Sequence, residues 1–470
     1  MTYSRRSFTA AMLSAAAPMT AAADPVWLGI EDAGKLLRGS RLSAVELTQA
    51  CLRRIERLNG SLNAFITVTA EAALAEARTL DAELRAGRPR GPLHGIPVAL
   101  KDVIDTAGVR TTAGSAQYAA RVPSEDAEVV LRLRAAGVVL LGKLNMDEFA
   151  YSFTSETSVH GRSHNPWDQR RSPGGSSGGA GIAVATGMCC AALGTDTGGS
   201  VRLPAALCGV TGLKPSYGRV STRGVVPLAW TLDHVGPMCR SARDAALVLG
   251  VIGKSCCAGV TKRAVRTLRI GIPRKVFYDQ LEPEVGRAVE EAARKLEGLT
   301  AGVRDIQWTP LEPSPRWPEL PLIYSRVISA EAYTFHEEML RRTPQRYHAA
   351  TREILAGGAA VSAPEYIRAR REVERLRAEA GRLFADADVL LTPTAPAGAF
   401  ELGVPASLAY LRNSAPWNVY GLPSISVPCG LTSKGLPIGL QITGRSDDTV
   451  LAVAETFQQA TAWHTKRPPS

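Results

Sequence analysis

Two short glycine- and serine-rich segments, separated by a run of almost wholly apolar residues, constrain this chain more than any other feature of its sequence. The first is Ser172-Pro173-Gly174-Gly175-Ser176-Ser177-Gly178-Gly179, and the second is Gly194-Thr195-Asp196-Thr197-Gly198-Gly199-Ser200-Val201-Arg202. Glycine at this density opens backbone conformations closed to other residues and costs entropy on folding, so such segments have a backbone task such as holding an anion or a transition state. A flexible linker would be polar throughout. Residues 181–193 are instead apolar, which predicts a buried helix packed between two loops.

Around these loops the chain alternates apolar runs with helical periodicity, as α/β folds do. Residues 42–58 carry apolar side chains at helical spacing with Ser43 placed to cap, and a second helix is expected over 70–85. The run 95–103 reads as a buried strand ending at Lys101, followed by a helix over 125–137 and a strand over 138–143. Further strands are expected over 268–273, 388–393 and 437–442, with helices over 284–299 and 449–463.

The second loop brings several backbone N–H groups close to the hydroxyl of Ser200, which is what an oxyanion hole needs. A serine hydroxyl is a weak nucleophile and requires a base. His234, His336, His348 and His464 have no distinctive setting in the sequence. Lys101, at the end of an apolar strand, can serve once burial favours its neutral form over an ordinary pKa of about 10.4. The G-x-S-x-G pattern around Ser176, repeated one residue later around Ser177, is a weak match to an α/β-hydrolase elbow, because residues 170–173 make a poor strand. Taken singly, Lys101 is an ordinary strand-end lysine and the serines and glycines are turn residues; in this order and spacing they form a candidate site.

Lys101, the 174–179 block and the 194–200 block together resemble the signature of the amidase signature family, as do His94-Gly95-Ile96-Pro97, residues 142–149, residues 208–215 and Gly421-Leu422-Pro423. Ser200 follows Ser176 by 24 positions, the family's separation between nucleophile and bridging serine, which selects Ser176 over Ser177 for the bridge. The resemblance implies a single α/β/α unit around a large central mixed β-sheet flanked by helices. It implies Ser200 as nucleophile, Ser176 as bridge after a cis Gly175–Ser176 bond, and Lys101 as final proton acceptor. Backbone N–H groups around Thr197, Gly198, Gly199 and Ser200 would form the oxyanion hole, with Ser177, Asp196 and Arg202 bracing the loops. No metal or organic cofactor is implied.

The activity expected is hydrolysis of a small-molecule carboxylic amide to acid plus ammonia or amine. The alternatives are the glutamine-hydrolysing A subunit of a tRNA-dependent amidotransferase, an esterase on the same scaffold, and an idle binding protein, against which the intact triad argues. In the amidotransferase, an arginine and an aspartate hold the glutamine carboxylate and amino group. Sequence matching puts those positions near Glu353, beside Arg352, and near Leu411 or Arg412, where the residues are changed.

The chain is basic, at net charge +11 over 470 residues, but its arginines are dispersed without a dense aromatic-interleaved run, so nucleic-acid binding is not expected. Residues 4–9, Ser-Arg-Arg-Ser-Phe-Thr, followed by a short apolar stretch and Ala21-Ala22-Ala23, read as a twin-arginine export signal over 1–23 cleaved after Ala23. The catalytic unit is then 24–470, periplasmic or secreted, or cytoplasmic if 1–23 is not a signal. No run is long and apolar enough for stable membrane insertion, and a monomer or homodimer is expected. Adjacent pairs Cys189-Cys190 and Cys256-Cys257 do not space as zinc ligands, and buried free thiols are expected for most of the eight cysteines.

Overall fold

Short apolar runs form eleven strands in the computed structural model, which describes residues 24–254, 262–307 and 320–469. They are β1 (Phe65–Val68), β2 (Pro97–Lys101), β3 (Val139–Leu144), β4 (Ala191–Asp196), β5 (Thr211–Lys214), β6 (His234–Cys239), β7 (Ile270–Pro273), β8 (Val303–Ile306), β9 (Val389–Pro393), β10 (Ser424–Leu431) and β11 (Pro437–Gly444). All lie in one mixed sheet, in the order β1-β3-β2-β4-β6-β5-β10-β11-β9-β7-β8, with helices packed against it.

β2 lies between β3 and β4 and runs parallel to both, with Leu100 beside Leu193. Every residue of the three strands is buried, which is why they read as continuous apolar runs rather than alternating ones. Parallel strands end on the same edge of the sheet, so the C-termini of β2 and β4 bring Lys101 and Asp196 to that one edge. In open α/β sheets that edge is where ligands are held.

The early helices follow the sequence pattern. Helix Ala44–Leu62 starts at a capping box: Ser43 Oγ accepts from the Glu46 N–H at 3.0 Å, and Glu46 Oε2 accepts from the Ser43 N–H at 2.8 Å. Helix Ala70–Arg85 spans the expected residues.

The apolar run between the two loops behaves differently from the expectation. Helix Gly178–Ala185 begins inside the first loop and ends early, where Gly187 adopts φ +70°. Residues 191–193 leave the helix altogether and pair with Val98, Ala99 and Leu100 of β2. Hydrophobicity alone did not distinguish helix from strand here, and pairing with β2 decided it. As a result Gly194, Thr195 and Asp196 are the end of β4, and the second loop is shorter than its composition suggests.

The twin-arginine segment and its cleavage position lie in 1–23, outside the described residues, as do Cys256 and Cys257. The six described cysteines are buried free thiols. Among the described residues no helix is long and apolar enough to cross a membrane.

Candidate functional site

Lys101 is the last residue of β2 and is fully buried. Its Nζ lies 2.7 Å from Ser176 Oγ and 2.8 Å from Thr195 Oγ1. Burial pushes the Lys101 pKa down from the ordinary lysine range to about 7, against the opposing pull of Asp147, Asp196 and Asp233. Lys101 is therefore divided between ammonium and free amine near neutral pH.

Ser176 is fully buried and follows a cis Gly175–Ser176 peptide bond. Its neighbour Ser177 faces the second loop: the Ser177 N–H donates to Ser200 O at 3.2 Å, and Ser177 Oγ donates to Thr195 O at 3.2 Å. These bonds fasten the first loop to the second. Glycine at 194 is required by this approach, since a Cβ there would stand 2.8 Å from Ser177 Oγ.

Ser200 is 7% exposed, whereas Lys101 and Ser176 are wholly enclosed, so Ser200 is the one residue of the three that reaches the surface. Among the described residues its hydroxyl has no hydrogen-bond partner. The backbone N–H groups of Thr197, Gly198 and Ser200 also have no acceptor there, while the Gly199 N–H is donated to Asp196 Oδ1 at 2.9 Å. Three of the four N–H groups expected to face an oxyanion are thus unengaged, and the fourth is committed to bracing the loop.

The bracing is centred on Asp196 and Arg202, both fully buried. The Arg202 guanidinium contacts Asp196 Oδ1 at 2.9 Å and Oδ2 at 3.0 Å. It also donates to Ser414 O at 2.9 Å, Gln441 Oε1 at 3.0 Å and Asn418 Oδ1 at 2.7 Å. Burial by itself would raise the Asp196 carboxyl, but Arg202 holds it well below the usual carboxylate range. Asp196 in turn accepts from the N–H groups of Gly199 and Val201, which fixes the loop on either side of Ser200.

Several contributors were not singled out from sequence. Thr195 Oγ1 is the second partner of Lys101. Asp233, raised by burial to about 6, accepts from Thr197 Oγ1 at 2.6 Å. Ser414 Oγ donates to Gly198 O at 2.7 Å, and Asn418 Nδ2 donates to Asp196 O at 2.9 Å. Lys214, also fully buried, lies 3.3 Å from His234 Nε2, and His234 Nδ1 lies 3.2 Å from Asp196 O. The signal for Thr195 lay inside the second glycine block, but the others come from segments remote in sequence.

At the mouth of the loop, a methyl group added at Gly198 would run into the Tyr324 hydroxyl, and one added at Gly199 would meet Ser414 Oγ and lie 3.7 Å from Leu411 Cδ2. Leu411 thus presents an apolar side chain beside Gly199. Arg412 turns elsewhere, its guanidinium donating to Asp279 O at 2.6 Å. Arg352 and Glu353 sit exposed on helix Ala349–Gly357. Among the described residues no group of three or more His, Cys, Asp or Glu side chains is placed to hold a metal ion.

Comparison with known proteins shows the family and the fold. The amidase family model matches residues 46–451. The A subunit of the glutamyl-tRNA(Gln) amidotransferase of Roseiflexus sp. (strain RS-1) is 40% identical over 94% of this chain and 98% of its own length. Among solved structures, an amidase superposes with TM-score 0.85 at 34% identity, covering 92% of this chain and 99% of that one. The A subunit of the glutamyl-tRNA(Gln) amidotransferase of Thermotoga maritima superposes with TM-score 0.76 at 33% identity, covering 93% and 96%. The chain belongs to the amidase family of hydrolases acting on carbon–nitrogen amide bonds.

Proposed function

We propose that the chain hydrolyses a carboxylic amide through an acyl-enzyme on Ser200, with Ser176 and Lys101 relaying the proton. The observation that carries this reading is the 2.7 Å contact between Lys101 Nζ and the enclosed Ser176 hydroxyl, in a site where Ser200 is the one residue of the three that reaches the surface. Neutral Lys101 takes the proton of Ser176 as Ser176 takes that of Ser200, and the Ser200 oxygen bonds to the amide carbon. The step asks the unpartnered Ser200 hydroxyl to turn onto Ser176 when substrate is bound. The carbonyl oxygen, now negative, is met by the unengaged N–H groups of Thr197, Gly198 and Ser200, each such donor being worth roughly 3–4 kcal/mol in the transition state. Collapse expels the amine or ammonia, which receives the proton back through Ser176. Water then attacks the ester by the same relay, releasing the acid and restoring Ser200. An ester substrate would follow the same steps.

The identity of the amide divides two readings. The curated relatives support glutamine, with the chain serving as the glutamine-hydrolysing component of an amidotransferase, and this reading has the stronger backing from the comparisons. The side chain of Leu411 beside Gly199 supports a stand-alone hydrolase of a small carboxylic amide, since an apolar group there offers nothing to an amino group.

Release of ammonia or amine from glutamine and from aliphatic, aryl and amino-acid amides, with Ser200→Ala alongside, tests both. Ser200→Ala is expected to lose at least about ten-thousand-fold in turnover. Activity that survives the substitution would rule out Ser200 as nucleophile. Turnover of glutamine above the other amides would select the amidotransferase reading.

A further inference from the structure

Asp147 follows β3 and is fully buried, and its carboxylate accepts four hydrogen bonds. Oδ2 accepts from the Ser155 N–H at 2.9 Å. Oδ1 accepts from the Glu156 N–H at 3.1 Å, the Thr157 N–H at 3.4 Å and Thr157 Oγ1 at 3.1 Å. Three of these donors are backbone N–H groups that cannot accept a proton from a neutral carboxyl, and they favour the anion. Burial pushes this carboxyl up from its ordinary value, and the hydrogen bonds and Lys101 oppose that rise.

The same residue grips the first serine loop. Its N–H donates to Ser176 O at 3.2 Å, and a Cβ placed on Gly175 would run into Asp147 Oδ2. Ser155 Oγ donates to Gly174 O at 2.8 Å and Ser172 Oγ donates to Thr154 O at 2.7 Å, so residues 147–157 clasp residues 172–176. Within this clasp Phe149, Ala150 and Ser155 hold φ of 49°, 61° and 60°, left-handed conformations that persist only where the surroundings enforce them.

Three carboxylates act on Lys101: Asp147, Asp196 and Asp233. Asp196 is neutralised by Arg202 at 2.9 Å. Asp233 gives up its charge at about pH 6 and is engaged with Thr197. Asp147 is anionic, and among the described residues no cationic nitrogen lies within ion-pair distance of it. We propose that Asp147 is a positioning residue for the hydrolysis: it clamps Ser176, which Lys101 contacts at 2.7 Å, and its buried charge without an ion-pair partner favours the ammonium form of Lys101. This rests on the reading in which Lys101 is the final proton acceptor from Ser200.

The test is the pH dependence of kcat/KM on the best amide found, for the full-length protein, Asp147→Asn, Asp147→Glu and Thr157→Val, with Ser200→Ala as control. Removing the anion lets Lys101 lose its proton more easily, so Asp147→Asn is expected to move the acidic limb to lower pH by about one unit. Asp147→Glu keeps the limb near its original position, and Thr157→Val loosens the clasp and lowers the rate without moving the limb. Asp147→Ser, also neutral, is carried as a second variant in case the asparagine protein does not fold. A limb unmoved in whichever neutral variant folds overturns the proposal, whatever happens to the rate. If Ser200→Ala stays active, the underlying reading falls and takes this proposal with it; a Ser200-dependent enzyme with an unmoved limb removes only the role of Asp147.

Discussion

Lys101 is where the chemistry is most sensitive to its surroundings. Only the free amine can accept a proton, and burial brings its pKa to about 7. Below that value the neutral fraction falls tenfold per pH unit, so kcat/KM is expected to rise with pH up to about 7 and then level off. An initial-rate series from acid to mildly alkaline buffer reads this directly, and a profile flat across neutrality would remove Lys101 as the titrating base. Lys101→Met deletes the acceptor while keeping an unbranched apolar stem. It is expected to lower turnover by about a hundred- to ten-thousand-fold, the range over which positioned acid–base groups act, and to abolish the limb. Arginine at this position would not restore the limb, because its guanidinium does not deprotonate in this range.

Elements carry these residues to one another, and here the sequence was legible only in part. β2 and β3 could be read because buried parallel strands are short, apolar and closed by a charge or glycine. The helix Ala44–Leu62 could be read because its capping box is local, and Ser43→Ala is expected to cost about 1 kcal/mol by denaturant titration. The start of β4 could not, since a run such as residues 188–193 satisfies a buried helix and a buried strand equally until β2 is in place. The bracing of the second loop was legible at Asp196 and Arg202 but not beyond, because Asn418 lies 222 positions from Asp196 and nothing local marks it as a partner. Arg202 joins these remote segments. Arg202→Met would leave the Asp196 carboxylate buried without its cation, and a loss of about 3–5 kcal/mol is expected by chemical denaturation. Arg202→Lys is expected to recover only part of that, since one ammonium cannot reach Asp196, Ser414, Gln441 and Asn418 in the geometry of a planar fork. A wild-type denaturation midpoint in Arg202→Met would show that the pair contributes nothing net to the fold.

At the scale of the whole molecule, the two readings of function ask for different homes. A stand-alone amidase carrying a twin-arginine signal over 1–23 folds in the cytoplasm and leaves it, whereas an amidotransferase component working on charged tRNA stays where translation occurs. The proposal of export rests on the order of charge, short apolar stretch and small residues before Asp24. The six described cysteines are buried free thiols, a state suited to a chain that folds under reducing conditions before it is moved. Cell fractionation of the full chain beside the double substitution Arg5→Lys, Arg6→Lys separates the cases. Export predicts a shortened protein outside the cytoplasm for the natural sequence, and a full-length protein retained inside for the double variant. The same distribution for both, at full length and in the cytoplasm, would withdraw the export proposal and leave the amidotransferase reading with the location it needs. Mass measurement of the exported form, expected to begin at Asp24, fixes the cleavage position in the same experiment.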